Sequence, residues 1–294
     1  MRLVAAELLK MRRRQMTYVL PMLLMIVMTI VLLLVGSFVA PLLRSLATSG
    51  LDGSTFGSGL PFNVAYSIAG DFVFGLGSLL FIIYVGAIVG GDYSWGVLRN
   101  AFSRGESRIN YALGKAAALA IGVTIAAAIA LVLGILMVLL IANDARIDLG
   151  SPLSADAMTD FVKALGLGLL VLFERGAIGF AVAVLLRSQV AGIVVGVILY
   201  IAEPFVAGLA ATFSSIGSAF DPNAAPSIHW SQYLPFTIGS SVLAEGHASI
   251  QGLTADSGLT TVVPIEQALP VLIVYGIIAM AFACFVMRRQ EIVG

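Results

Sequence analysis

The sequence predicts an all-α polytopic membrane protein with six transmembrane helices, and three observations carry that prediction. Of 294 residues, 60% are hydrophobic and only 11% charged, where a soluble domain has about 25% charged residues; the mean hydropathy is +1.03. Six apolar runs have the roughly 17–25 residues that a spanning helix needs. The sixteen Lys and Arg residues are also unevenly placed. Twelve fall on one predicted side: Arg2, Lys10, Arg12, Arg13, Arg14, Arg99, Arg104, Arg108, Lys115, Arg187, Arg288 and Arg289. Three, Arg44, Arg146 and Lys163, fall on the other, and Arg175 lies within a span. Such a bias marks the cytoplasmic side and puts both termini inside. Residues 1–294 read as a single transmembrane domain. The zero net charge implies no bulk attraction to nucleic acid. Cys284 is the one cysteine, so no internal disulfide exists, and it reads as a small buried apolar side chain.

Residues 1–16 form a basic amphipathic start, with Val4, Leu8 and Met11 on one helical face and Arg2, Lys10, Arg13 and Arg14 on the other. An interfacial helix with its apolar side in the acyl boundary fits this pattern, and so does a plain positive flank. Thr17–Ala40 is the first span. Its apolar run exceeds the roughly 7–15 residues of a signal peptide, so it reads as retained. Pro21 sits near the helix start, where proline costs least. Pro41–Gly70, rich in Gly, Ser and Thr, reads as an outer loop. Phe72–Val89 is the second span, with Asp71 at its outer end, where an acid suits a helix N-terminus.

Ala112–Ala142 is the third span, long enough to tilt or to run past the lipid. Asn143–Asp160 holds Asp144, Asp148, Asp156 and Asp160 and reads as a solvated acidic outer loop; its spacing does not fit a calcium-binding loop. Phe161–Leu186 is the fourth span, Arg187 a short inner turn and Val190–Phe213 the fifth span. Residues 214–267 form an outer segment without Lys or Arg. Within it, His229–Leu243 is too apolar for a solvent loop and too short to span, which fits short re-entrant or interfacial helices anchored by Trp230 and Tyr233. His229 and His247 are too scattered for a metal site. Ala268–Met287 is the sixth span, closed inside by Arg288-Arg289.

Three stretches carry candidate function. Glu174-Arg175 places two charges in mid-span, each costing about 2.5–3.5 kcal/mol there. They lie about 100° apart on a helix, and fit either a polar patch in a translocation path or a structural ion pair with neighbouring helices. Glu203-Pro204 combines a carboxylate with a helix break, tolerated at depth where it lines a cavity; a proton relay or a structural role both fit. The third stretch is Asp92 to Lys115, whose loop part is 92–111. There Trp95, Leu98, Phe102 and Ile109 recur at spacings of three, four and seven as one apolar stripe, with Arg99 and Arg104 off it. A short amphipathic inner helix fits docking of a soluble partner, contact with lipid headgroups, or a basic loop that only sets topology. Gly192-x-x-x-Gly196 is a small-residue pair of the kind that permits close helix packing.

The run of Asp92, Gly96, Leu98-Arg99, Ser103-Arg104-Gly105, Ser107-Arg108 and Gly114-Lys115 resembles the loop after the second span of ABC-2 type permeases, the membrane subunits of one class of ATP-driven exporters. Asp92 stands where that family more often has Glu, and Val97 where it more often has Thr. With the span count and the basic start, the resemblance covers nearly the whole chain. It implies a type V exporter-like fold in the plasma (cytoplasmic) membrane and a cytoplasmic coupling helix seated in a cleft of a separate ATPase subunit. The coupling residues are then Asp92, Trp95, Leu98, Arg99, Phe102, Arg104 and Arg108. Two ATPase copies would carry ATP and Mg, this chain none, and a second permease copy or a paralogue would complete a pathway to which Glu174, Arg175 and Glu203 contribute.

No G-x-x-x-x-G-K-[ST] loop occurs, since Gly114-Lys115 is followed by Ala116, so any ATP must be bound elsewhere. Neither H-E-x-x-H nor G-x-S-x-G is present, which leaves an intramembrane hydrolase without support. A secondary transporter or channel working through Glu203 and Glu174-Arg175 is the alternative, weakened by the lack of inverted repeats; a membrane scaffold is another. Drug, lipid, peptide, glycan and ion all fit as cargo.

Overall fold

The computed structural model describes residues 2–48, 66, 68–103, 105–145, 155–220, 230–251 and 263–290. Among these every regular element is helical. In order they are α1 (Arg2–Arg13), α2 (Met16–Thr48), a π-helical turn (Asp71–Leu76) running into α3 (Gly77–Ser94), α4 (Val97–Ser103), α5 (Arg108–Ala145), α6 (Ala155–Leu186), α7 (Gln189–Phe220), a 3-10 turn (Trp230–Tyr233), α8 (Pro235–Gln251) and α9 (Ile265–Arg289). Six of the helices are long and apolar enough to cross a membrane. A helix satisfies its own backbone, which is what hydrocarbon demands of any spanning segment. The chain is a multi-pass membrane protein.

Two spans make the centre. The second and fourth have 67% and 61% of their apolar windows buried, against 11–22% for the other four. α3 and α6 pack on each other, α7 packs on α3, α9 on α6, and α2 on α5. In lipid there is no hydrophobic gain from pairing two helices, so close van der Waals fit decides which faces meet. Glycines supply that fit. A Cβ on Gly90 would stand 2.6 Å from Gln189 Cα, and one on Gly86 would stand 3.0 Å from the Ile193 amide. Gly86-x-x-x-Gly90 of α3 therefore meets the start of α7, where Gly196 of the Gly192 pair abuts Ile82. Outward faces remain apolar, as with Ile26 and Ile30 on α2, Ile125 and Ile129 on α5, Phe205 on α7 and Ile277 on α9.

Helices outrun the predicted spans. α2 continues to Thr48, so Pro41 and Arg44 are helical rather than looped, and α6 begins at Ala155, taking in Asp156 and Asp160. The sequence window senses the length that suits lipid, whereas a helix continues until its backbone is broken. α5, at 38 residues, is roughly 57 Å long at 1.5 Å per residue. The stripe through the basic loop is also corrected. α4 is seven residues long and is bounded by Gly96 (φ 66°) and Gly105 (φ 84°), in the left-handed region that favours glycine. Trp95 caps the end of α3 and Ile109 belongs to α5, so of the stripe only Leu98 and Phe102 share α4. Arg104, Arg146, Asp148 and His229 lie outside the described residues.

Candidate functional site

Two polar nodes are built into the bundle. The first lies at its basic end. Asp92, at the end of α3, is 1% exposed. Its Oδ1 accepts from Arg14 Nη2 at 2.7 Å, and its Oδ2 accepts from the Tyr111 hydroxyl and the Lys115 ammonium. Lys115, also 1% exposed, donates at 3.3 Å to Glu7 of α1, whose other oxygen accepts from Lys10. Burial pushes the Glu7 carboxyl up, but Lys115 and Lys10 more than offset that, and it titrates below its ordinary value. α1 is therefore pinned by its acid to α5. The predicted amphipathic halves hold for Met11, which is buried, while the unpredicted Glu7 is what locks the helix down.

Around this node the other helix ends are tied in. Tyr93 donates to Gln290 Oε1 at 2.9 Å, and Gln290 donates to the Val184 carbonyl at 2.9 Å, joining the ends of α3, α6 and α9. Arg108, at the start of α5, donates to the carbonyls of Arg288 (3.1 Å) and Gln290 at the end of α9. The Gln189 amide donates to Ser94 Oγ at 3.4 Å, which adds the start of α7. Arg187 closes the α6–α7 turn with φ 51°, a left-handed conformation uncommon for a residue with a Cβ.

The predicted coupling residues divide across this surface. Leu98 is 4% exposed and packs into this chain's own core. Phe102 joins the same cluster, its ring edge-on to Tyr111 at 5.8 Å and beneath Arg108 at 5.5 Å. Asp92 is wholly internal. Trp95, by contrast, is 65% exposed, with Arg14 stacked on it at 5.1 Å, and Arg99 is exposed beside it. The stripe that reads as one docking face in sequence puts Leu98 and Phe102 into the core and leaves Trp95 outward, as Arg99 off the stripe also is.

The second node lies within the bundle. Arg175 of α6 is 2% exposed. Nη1 donates to the Phe74 carbonyl (3.2 Å) and Ser78 Oγ (2.8 Å), and Nη2 to the Phe236 carbonyl and Ser240 Oγ (both 3.3 Å). Its guanidinium lies over Tyr200 at 5.5 Å. One of these partners, the Phe74 carbonyl, belongs to the π-helical turn, where the Gly77 N–H reaches the Phe72 carbonyl, and the neighbouring Gly75 carbonyl accepts from the Tyr200 hydroxyl at 2.9 Å. Arg175 is thus a brace between α6, α3 and α8 made with neutral acceptors. It is not half of a pair with Glu174. Glu174, 3% exposed, has neither carboxyl oxygen bonded among the described residues.

Glu203 accepts from the Thr237 amide at 2.9 Å and its hydroxyl at 3.4 Å. Thr237 is the third residue of α8, so the acid of α7 satisfies a free N-terminal donor of α8 and complements its dipole. Pro235 at the first position fits the same start. α8 packs between α6, α9 and α7 with Ile238 and Val242 fully buried, and the 3-10 turn before it is fixed by the Tyr275 hydroxyl on the Tyr233 carbonyl at 3.0 Å. The apolar outer segment is accordingly a short helix sunk into the bundle. Trp230 remains 67% exposed. No group of three metal-capable side chains occurs among the described residues.

Compared with known proteins, the chain matches no family model, and no curated protein matches it.

Proposed function

We propose that this chain is the permease subunit of an ABC-2 type exporter, driven by ATP hydrolysis on a separate ATPase subunit. The observation that carries the reading is α4. It is a seven-residue helix between two left-handed glycines, mounted on a buried charge node that gathers the ends of the spans. The resemblance of residues 92–115 to the family's coupling loop gives that arrangement its meaning. The basic end is cytoplasmic, in the plasma (inner) membrane, with both termini inside. Two ATPase copies, holding ATP and Mg, dock there, and a second permease copy or a paralogue completes the pathway. Closure of the ATPases pushes on Trp95 and α4. Because Leu98 and Phe102 are bonded into the core and Asp92 and Arg108 into the node, the push passes to α3, α5 and α9 as one body.

Large apolar anchors dominate such contacts and rim charges contribute less. Co-purification with the ATPase subunit tests the reading. Trp95→Ala should lose the partner while the protein remains monodisperse, and Arg99→Ala should weaken binding less, in a manner that high salt removes. A protein that inserts normally yet retains no ATPase in any form would exclude it. The second reading, a transporter driven by an ion gradient, is favoured by one observation, the unbonded Glu174 carboxyl. Uptake into vesicles that responds to a proton or sodium gradient without ATP would select it.

A further inference from the structure

A groove runs between α6 and α9, with α5 at its edge. Leu170, Phe173, Leu272, Gly276 and Met280 wall it, and it offers about 480 Å³ and is open to the side. Glu174 is the one charged residue lining it among the described residues. We propose that this groove binds a lipophilic monovalent organic cation, with the Glu174 carboxylate as its counter-ion.

Three features lead there. Glu174 is buried, and neither of its oxygens has a hydrogen-bond partner among the described residues. The adjacent cation does not serve it, because the Arg175 terminal nitrogens are committed to Phe74, Ser78, Phe236 and Ser240. A carboxylate taken out of water without a partner is costly, and either a proton or a positive charge entering the groove relieves that cost. Next, Gly276 brings the backbone of α9 against the acid. α9 passes so close that a Cβ there would lie 3.7 Å from Glu174 Cα. Finally, the walls select the kind of cation. A hard metal ion requires about six oxygen ligands, and this groove offers one carboxyl group. An apolar and aromatic lining with one fixed negative charge suits a cation that brings its own hydrophobic surface.

That the cation is also the exported cargo rests on the permease reading. Binding does not, and its assay contains neither ATP nor a partner, so the two fail separately. The probe is tetraphenylphosphonium, measured by equilibrium dialysis against the full chain in lipid nanodiscs. Saturable binding near one per chain is expected, not displaced by the anionic isostere tetraphenylborate. Glu174→Gln should weaken it about tenfold or more, equal to about 1.4 kcal/mol or more. Gly276→Leu, which keeps the acid and fills the groove, should also weaken it, and Glu266→Gln, an exposed acid at the start of α9, should not. Equal affinity in the wild type and Glu174→Gln overturns the proposal. So does absence of saturable binding by the wild type, whether Glu174 simply holds a proton or a second copy covers the groove, the latter read as Cys284–Cys284 cross-linking.

Discussion

At the scale of single residues, the charges inside this protein hold geometry. Asp92 is shared by Arg14, Tyr111 and Lys115. Asp92→Ala leaves buried Lys115 with Glu7 as its one carboxylate partner among the described residues, and loss of one member of a buried pair costs about 3–5 kcal/mol. Lys115→Met should cost less, because an apolar side chain of similar length replaces the charge and Asp92 keeps Arg14 and Tyr111; thermal unfolding in detergent should rank the two in that order. Glu7 gives a pH dependence. Its folded value is depressed, so its contribution is complete above the ordinary carboxylate value and is lost as pH falls through the folded one. Limited proteolysis should accordingly release α1 more readily as pH drops below about 4, and Glu7→Gln should abolish that dependence. The sequence displays each of these residues but not their meeting. Lys115 lies at the start of an apolar stretch and Asp92 ends one, which flags them as unusual, while only the packing of α1 across α5 brings Glu7 to both. Arg175 and Glu174 show the opposite trap. Neighbours in sequence, they are not a pair, and the brace on Arg175 comes from carbonyls and hydroxyls that carry no charge signal.

At the scale of elements, hydrophobic run length locates all six spans to within a turn at many of their ends, because the bilayer sets a length that composition reveals. It misses where helices continue through polar sequence, as at Arg44 and Asp156. It also misses α8 as a single 17-residue helix, since the capping of its start by Glu203 is a long-range contact. Glycine spacing was legible in Gly192-x-x-x-Gly196 and equally present in Gly86-x-x-x-Gly90, which is where α3 and α7 approach most closely. Gly90→Leu should therefore separate these helices and lower stability by more than Gly75→Leu, since a Cβ on Gly75 meets nothing within 4 Å; unfolding in detergent compares them directly. The coupling stripe is legible as apolar helical positions but not as the separate elements they fall on, nor as to their direction. Leu98 and Phe102 face inward and Trp95 outward, which periodicity cannot separate, because an apolar face looks the same toward a core as toward a partner.

At the scale of the whole molecule, the charge bias predicts that the basic end faces the cytoplasm. On a Cys284→Ala background, a cysteine at Ser103 should label only from inside and one at Ser257 only from outside; labelling of both from one side contradicts the six-span arrangement. The node of Asp92, Lys115, Glu7 and Arg14, with Gln290 and Arg108 beside it, ties the ends of the spans together, as the proposed drive from below requires. The central claim is that the drive is ATP hydrolysis on another polypeptide, delivered through Trp95 and α4. The direct measurement is ATP hydrolysis by the co-purified complex in lipid, for the wild type and for Trp95→Ala. The account predicts hydrolysis that depends on this chain and falls with Trp95→Ala, even when the ATPase is supplied in excess and the permease is inserted and folded. Hydrolysis that is the same with the wild type, with Trp95→Ala and with no permease at all contradicts it.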